Sequence, residues 1–289
     1  MNDFPTKEQI SKVLSELREM NLQEVSYDDI FKKLAYELKI IPFVTAKLKK
    51  GNYIERGRIN SPEEIFYSES DISYRTDIEN INKYGRANCP KQSMFYGALK
   101  SDFVEYPRIV NLFEISGLFR DGDLILNGEF IFTVGKWKIK EDFEVVEIVF
   151  DKETIKRIPD IKKAYEYHLN NIRQEFPEKV EEFAKMLEFF SNEFAKKEIS
   201  NDDDYKVSVV YTNMAINNRG HGGIIYPSVR TEGKGRNIVL PIEVVDKYLE
   251  LEKVAMFKII KNGDKAEISN IAIALDLEEK NTQFKWIYS

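Results

Sequence analysis

With 289 residues, 43% of them hydrophobic and 32% charged, the chain is long enough for one large domain, or for a domain carrying a small appendage. Its 43 Lys and Arg against 49 Asp and Glu leave a net charge of −6, which argues against nucleic acid or an acidic membrane being held by bulk charge. The single cysteine, Cys89, excludes an intrachain disulfide and a multi-thiolate metal cage, and it fits a reducing compartment.

The first twenty residues carry charges throughout. No apolar run approaches the ~18 to 20 residues that span a bilayer, so the expectation is a soluble cytoplasmic protein without signal or anchor. Thr6 with Gln9 has the form of a capping box, and Ile10, Val13, Leu14 and Leu17 follow at helical spacing. Ser26 and Asp29 open a second helix with Ile30, Leu34 and Leu38 on one face. Residues 1–50 therefore read as a helical appendage that docks on the rest of the chain or meets a partner, because about fifty residues are too few for a secure independent core. Residues 51–289 read as the main domain.

GNYIERGRIN, from Gly51, reads as a short strand, and the segment to Leu99 mixes turn formers with aromatics as loops near a site do. Between Arg108 and Phe150, IVNLFEIS, EFIFTVGKWKI and FEVVEIVF read as strands separated by the turns RDGD and KEDF, most simply as an antiparallel meander. Over about 160–198 the pattern returns to helix, with Ile161, Ala164, Tyr165, His168, Leu169 and Ile172 on one stripe and Val180, Phe183, Leu187, Phe190 and Phe194 on a second, divided by Pro177. KVSVVYTNMAI is strand or helix by periodicity. GGIIYPSV, RNIVLPIEVV, VAMFKII and AEISNIAIAL read as strands.

No phosphate loop, dinucleotide-binding glycine turn or paired-histidine zinc helix is present in the sequence. His168 falls on a helix packing stripe, His221 precedes Gly222 and Gly223 in a loop, and Cys89 has no base beside it, so nucleophilic catalysis by these groups is not expected. Three polar clusters stand apart, each beside Gly, Pro or aromatic residues: Arg56 and Arg58 with Tyr84, Gly85, Arg86 and Asn88; Phe95, Tyr96 and Gly97 followed by Glu114; and the run from Gly222 through Tyr226 and Ser228 to Arg230. Arginines offer planar forks to phosphate or carboxylate oxygens, and tyrosines offer ring faces to a base. Ordinary turn chemistry with surface arginines explains the same clusters about as well.

ERGRIN, GRANCPKQSMFYGA and GGIIYPSVR, in this order, resemble the RES domain, a bacterial family named for its Arg, Glu and Ser. The resemblance spans roughly Tyr53 to Val239 with gaps and leaves the N-terminal helices outside. It implies an α+β fold similar to ADP-ribosyltransferase toxins, a pair of small, mainly antiparallel sheets with flanking helices and a cleft that takes NAD as substrate, with no cofactor and no metal. Carried over by motif position, Arg56 is the family's first arginine, Arg86 that of the GRAN segment, Tyr96 the aromatic of FYG and Ser228 the serine. The family glutamate falls on Glu114 or Glu105; Glu114 is preferred, since LFEIS has the apolar-acid-apolar form of a strand projecting one carboxylate into a cleft.

That resemblance implies cleavage of the nicotinamide-ribose bond. In this scheme Glu114 stabilises an oxocarbenium-like ribose. Arg56 and Arg86 anchor the pyrophosphate, Arg58 receives inorganic phosphate if the reaction is phosphorolysis, Tyr96 and Tyr226 contact the nucleotide, and Ser228 orients the nicotinamide or ribose. Water, phosphate or a protein side chain can each be the acceptor, so glycohydrolase, phosphorylase and ADP-ribosyltransferase all remain open. A non-catalytic nucleotide-binding or interaction module is the further alternative. By the same resemblance the chain is a toxin with an antitoxin protein as partner, and the N-terminal helices offer a homo-oligomer contact.

Overall fold

The computed structural model describes residues 4–120, 127–275, 277 and 283–289. Its strands are β1 (Thr45–Leu48), β2 (Tyr53–Ile59), β3 (Met94–Leu99), β4 (Asn127–Ile139), β5 (Phe143–Glu147), β6 (Ile224–Pro227), β7 (Arg236–Pro241), β8 (Leu249–Asn262), β9 (Lys265–Ala274) and β10 (Ile287–Tyr288). Its helices are α1 (Lys7–Glu19), α2 (Tyr27–Lys32), α3 (Glu69–Ile72), α4 (Pro107–Ile115), α5 (Gly117–Arg120), α6 (Lys152–Arg157), α7 (Pro159–Glu175), α8 (Val180–Ala195), α9 (Lys206–Asn213) and α10 (Ile242–Tyr248). The fold is α+β, and among the described residues no helix is long and apolar enough to cross a membrane. The chain forms two compact units, the first of Met1–Ala46, Asp77–Ser93 and Glu144–Val229, the second of Lys47–Thr76, Met94–Phe143 and Arg230–Ser289.

The first unit is mostly helical. The Thr6 hydroxyl accepts the Gln9 amide at 3.1 Å, and Ser26 and Asp29 close a reciprocal box on α2. Ile10, Val13, Leu14 and Leu17 of α1 are buried, as is Ile30 of α2, because α1 packs on α8 and α2 on α9. The N-terminal helices are thus built into this unit. Every residue of α9 is buried, which is why KVSVVYTNMAI shows no readable period. At its centre Tyr211 stacks on Phe190 with ring centroids 4.2 Å apart and donates its hydroxyl to the Pro42 carbonyl at 3.0 Å. Lys206 Nζ donates to the Leu22 and Val25 carbonyls at 2.7 and 2.9 Å, fastening the turn between α1 and α2. Here β5 and β6 run parallel, Val146 opposite Ile224.

Glu193 on α8 is buried with its Oε2 2.5 Å from Lys196 Nζ, yet burial outweighs this attraction and raises its carboxyl above the usual range. An acid whose folded-state pKa is raised contributes stability below its unfolded pKa of about 4.3 and loses it as pH rises through the folded value. Glu193→Gln is therefore expected to gain stability relative to the parent between pH 4 and pH 8 in urea melts. A Gln variant that loses ground over that interval would show that the Lys196 pair dominates.

In the second unit the strands lie in the order β7-β3-β2-β4-β8-β9-β10. Every pairing along it is antiparallel. The expected meander is not formed, since β4 pairs with β2 and β8, whose long ladders supply more backbone bonds than its sequence neighbour β5. The expected turn RDGD lies outside the described residues from 121 on. IVNLFEIS is helix α4 rather than a strand. Pro107 sits at its first turn, where a missing N–H costs nothing, and Pro107, Val110 and Asn111 at i, i+3 and i+4 are buried together. PIEVV likewise turns into α10 after Pro241, so the expected strand ends there.

Alternation along β2 and its register partners sorts the side chains of this unit into two faces. Leu112, Phe132, Val134 and Ile259 form an apolar cluster with α4 on one face. Ile54, Phe95 and Trp137 pack on the other, the rings of Phe95 and Trp137 edge to face at 5.3 Å. Gly97 lets β3 lie close to β2: a Cβ there would stand 2.6 Å from Ile54 Cγ2 and 3.0 Å from the Glu55 carbonyl oxygen. Gly97→Ala is expected to lower stability by about 1–3 kcal/mol in denaturant titration. An unchanged midpoint would mean that the two strands separate without cost.

Candidate functional site

Arg56 and Arg58 are two residues apart on β2, so both side chains leave the sheet on the face that carries Ile54 and Phe95. A short segment ending α3 is shaped to meet them. The Asp71 carboxylate accepts the Tyr67 and Ser68 amides at 2.8 and 2.9 Å, turning the chain so that the last carbonyls of α3 face β2. Arg56 Nε donates to the Ile72 and Ser73 carbonyls at 3.2 and 2.9 Å, and its Nη1 donates to the Tyr96 carbonyl at 2.6 Å. Arg58 Nη1 donates to the Asp71 carbonyl. The Phe95 ring lies 5.4 Å from the Arg56 guanidinium carbon and the Phe66 ring 4.8 Å from that of Arg58.

Among the described residues neither guanidinium is ion-paired with a carboxylate. Burial, with the Arg58 charge second, pulls the Arg56 guanidinium down to about 10, so it stays protonated at neutral pH. The Nη2 groups of both arginines and Nε of Arg58 make no hydrogen bond to described residues. Two adjacent cations with donors in reserve are fitted to a multiply charged oxyanion such as a diphosphate.

The opposite face holds the other two expected residues of this unit. Tyr96 alternates with Phe95 and Gly97 and shares its face with Ala98, which pairs with Glu55. Glu114, near the end of α4, accepts the Asn237 amide on Oε1 at 2.7 Å. The sheet thus brings Arg56 together with Arg58, while alternation turns the side chains of Tyr96 and Glu114 toward the other face, Tyr96 still acting electrostatically on Arg56 and raising its pKa against the effect of burial. LFEIS ends helix α4 and is not the expected strand, so Glu114 is carried over the sheet and does not project from it. Glu105 is exposed in the loop before α4.

Sequence reasoning passed over Glu55. Its buried carboxylate accepts the Arg108 amide at 2.6 Å and Arg108 Nη1 at 3.1 Å, and its carbonyl accepts Asn111 Nδ2 at 2.8 Å. It caps the positive end of α4 and fixes the helix on which Glu114 rides. Its position beside Arg56 in ERGR was the available signal, because successive strand residues face opposite ways.

Arg86, Tyr226 and Ser228 belong to the first unit. The GRAN segment closes on itself, the Gly85 amide donating to the Asn88 carbonyl at 3.0 Å, and this turn aims Arg86 at the end of α8. There Arg86 Nη1 and Nη2 donate to the Phe194 and Lys196 carbonyls at 2.7 and 3.2 Å, over the Tyr205 ring. The guanidinium serves as a cap for the negative end of α8. Tyr226 on β6 is buried with its ring 5.3 Å from that of Phe194, and Ser228, just beyond β6, has no exposed surface. His168 on α7 is buried, its Nε2 2.8 Å from Glu147 Oε2. Burial lowers the His221 imidazole and raises the Cys89 thiol, whose Sγ accepts Asn213 Nδ2 at 3.5 Å. Among the described residues no three His, Cys, Asp or Glu side chains converge as metal ligands would.

Because Arg86 holds two helix-terminal carbonyls, Arg86→Ala is expected to cost about 1.5–3 kcal/mol, the range for hydrogen bonds to a charged group. Hydrogen exchange of the last turn of α8 should accelerate with it. Exchange that stays at the parental rate would leave the cap without energetic weight.

The chain matches no protein-family model and no curated protein sequence, so the roles of these side chains stand on their own geometry and chemistry.

Proposed function

We propose that the protein is an NAD-consuming enzyme that cleaves the nicotinamide-ribose bond by hydrolysis or phosphorolysis, with Arg56 and Arg58 holding the pyrophosphate. One observation carries this reading: two half-buried guanidiniums lie side by side, held by carbonyl oxygens and aromatic rings, with no carboxylate counter-charge among the described residues. Such a pair lowers its own repulsion by taking up a diphosphate, and two planar forks suit its non-bridging oxygens.

In the reaction the bond between ribose C1′ and the nicotinamide nitrogen breaks, and its electron pair neutralises the pyridinium. Water or phosphate then adds to C1′ and, where water is the acceptor, releases one proton. Glu114 is the carboxylate assigned to the developing ribose cation. Ser228, wholly buried, is assigned the holding of the turn after β6 rather than nucleophilic attack, which a serine without a base does poorly. Tyr226 and Arg86 shape the first unit in this reading. It also keeps the expected ADP-ribosyltransferase-like arrangement of strands, a toxin role, an antitoxin protein as restraint and a homo-oligomer contact as proposals. Transfer of ADP-ribose to a protein would share the same first step. The placement of Glu114 across the sheet from the arginines favours a second reading, a nucleotide-binding module without catalysis.

Incubating the purified chain with NAD, with and without phosphate, and resolving products by mass spectrometry tests both. Cleavage products, with Glu114→Gln slowing turnover by ~10²-fold at unchanged NAD affinity, are expected. Arg56→Lys and Arg58→Lys should instead weaken NAD binding, since an ammonium does not reproduce the planar fork. Bound but intact NAD would support the second reading, and turnover undiminished in Glu114→Gln would remove Glu114 from the mechanism.

A further inference from the structure

We infer that segment 284–286 is a positioning element for Arg56 and Arg58, and that Trp286 acts on an anion bound there through Phe66 and the end of α3. This rests on the reading of the arginine pair as a diphosphate site. The segment lies far from β2 in sequence but is tied to it by a short chain of contacts. Trp286 Nε1 donates to the Phe66 carbonyl at 2.9 Å, and the Phe284 amide donates to the Tyr67 carbonyl at 2.6 Å. The Phe284 and Trp286 rings meet edge to face at 5.8 Å. Phe284 and Phe66 are both buried, 6% and 3% exposed, so the junction is packed as well as hydrogen-bonded.

From Phe66 the connection runs two ways. The Phe66 ring is the one against Arg58, and the next residues, Tyr67 and Ser68, are turned by the Asp71 carboxylate into α3. The carbonyls that receive the arginines, Asp71, Ile72 and Ser73, follow directly. On its other side the segment is fixed by β10, where Ile287 and Tyr288 pair with Ile273 and Ala272 of β9 and the Ser289 amide donates to the Ile271 carbonyl at 3.1 Å. The strap therefore holds segment 66–73 against the edge of a long hairpin while that segment holds the two guanidiniums. A guanidinium fork binds a diphosphate well only when its plane is set in advance, and here that plane is set by carbonyls whose own position depends on residues 284–286.

The test uses calorimetry and tryptophan emission on the full chain, with inorganic pyrophosphate and ADP-ribose as probes. Trp286→Phe keeps the ring and deletes the N–H. It is expected to weaken both probes by about two- to tenfold, the worth of one neutral hydrogen bond, at temperatures where circular dichroism shows the variant fully folded. The parent's emission should change on saturation, and that change should be clearly smaller in Trp286→Phe, whose remaining Trp137 packs on Phe95 beside Arg56 and reports only its own share. Arg58→Lys should reduce probe affinity without moving emission in the absence of probe. Parental affinity in folded Trp286→Phe, or calorimetric binding with no change in emission, would overturn the strap alone. Absence of any binding heat in the parent would overturn the diphosphate reading of the arginines, and the strap with it. If Trp286→Phe does not fold, Phe284→Leu, which keeps the backbone donor, is read by the same emission change: loss of the probe response supports the coupling and its full retention overturns it.

Discussion

Glu55 and Arg56 are neighbours on β2, and strand alternation sends their side chains to opposite faces of the sheet. Each then organises its own face. Glu55 caps α4 through the Arg108 amide and guanidinium, which seats the helix on the apolar cluster around Phe132 and Ile259. Arg56 gathers the carbonyls of Ile72, Ser73 and Tyr96, which seats α3 and steadies the backbone of β3 on the other. A one-residue slip of β2 would exchange the two groups, placing a guanidinium beneath the positive end of α4 and a carboxylate against the carbonyl end of α3. Both contacts would become repulsive, so the register of this strand is fixed by electrostatics as well as by packing.

The arginine face is costly by itself. Two guanidiniums at alternate strand positions repel, and the loss of water around Arg56 is large enough to bring its pKa to about 10. Carbonyl dipoles and the faces of Phe95 and Phe66 offset part of this cost, but they carry no net charge. A carboxylate would offset more, and structural arginines of this chain show what that looks like: Arg108 is bidentate in effect on Glu55 through its amide and its side chain. Arg86 is a structural arginine of another kind, its donors directed at the end of a helix. The contrast among the three is one of partners: a carboxylate for Arg108, the carbonyl end of a helix for Arg86, and carbonyls with ring faces for Arg56 and Arg58.

Much of the fold was legible where burial is one-sided. The stripes of α1, α7 and α8, the caps at Thr6 and Ser26, and the strands β2, β4, β8 and β9 follow from period and end signals. The period fails where burial is all round, as in α9, and it misleads in α4, where Ile, Val, Leu and Phe crowd a helix whose start is set by Pro107 and by a carboxylate more than fifty residues away. Pairing order was not legible either: β4 and β5 are adjacent in sequence, yet β4 finds its partners in β2 and β8. For the candidate site, residue type pointed to Arg56 and Arg58 together and the structure keeps them together. It could not tell Arg86, whose partner carbonyls lie about 110 positions away, from a ligand-binding arginine.

The two faces also bear differently on function. Under the function proposed above, a diphosphate at Arg56 and Arg58 meets groups contributed by β2, β3 and segment 66–73, the last tied in turn to residues 284–286. Chemistry at a ribose carbon needs a carboxylate on the same side as that ligand. Glu114 is held across the sheet by α4 and by Asn237, and that helix is locked at its other end by Glu55. The alternation that gives β2 its two roles therefore also sets the side chains of Arg56 and Arg58 on one face and Glu114 on the other, and under the function proposed above this is the arrangement that favours anion binding without catalysis.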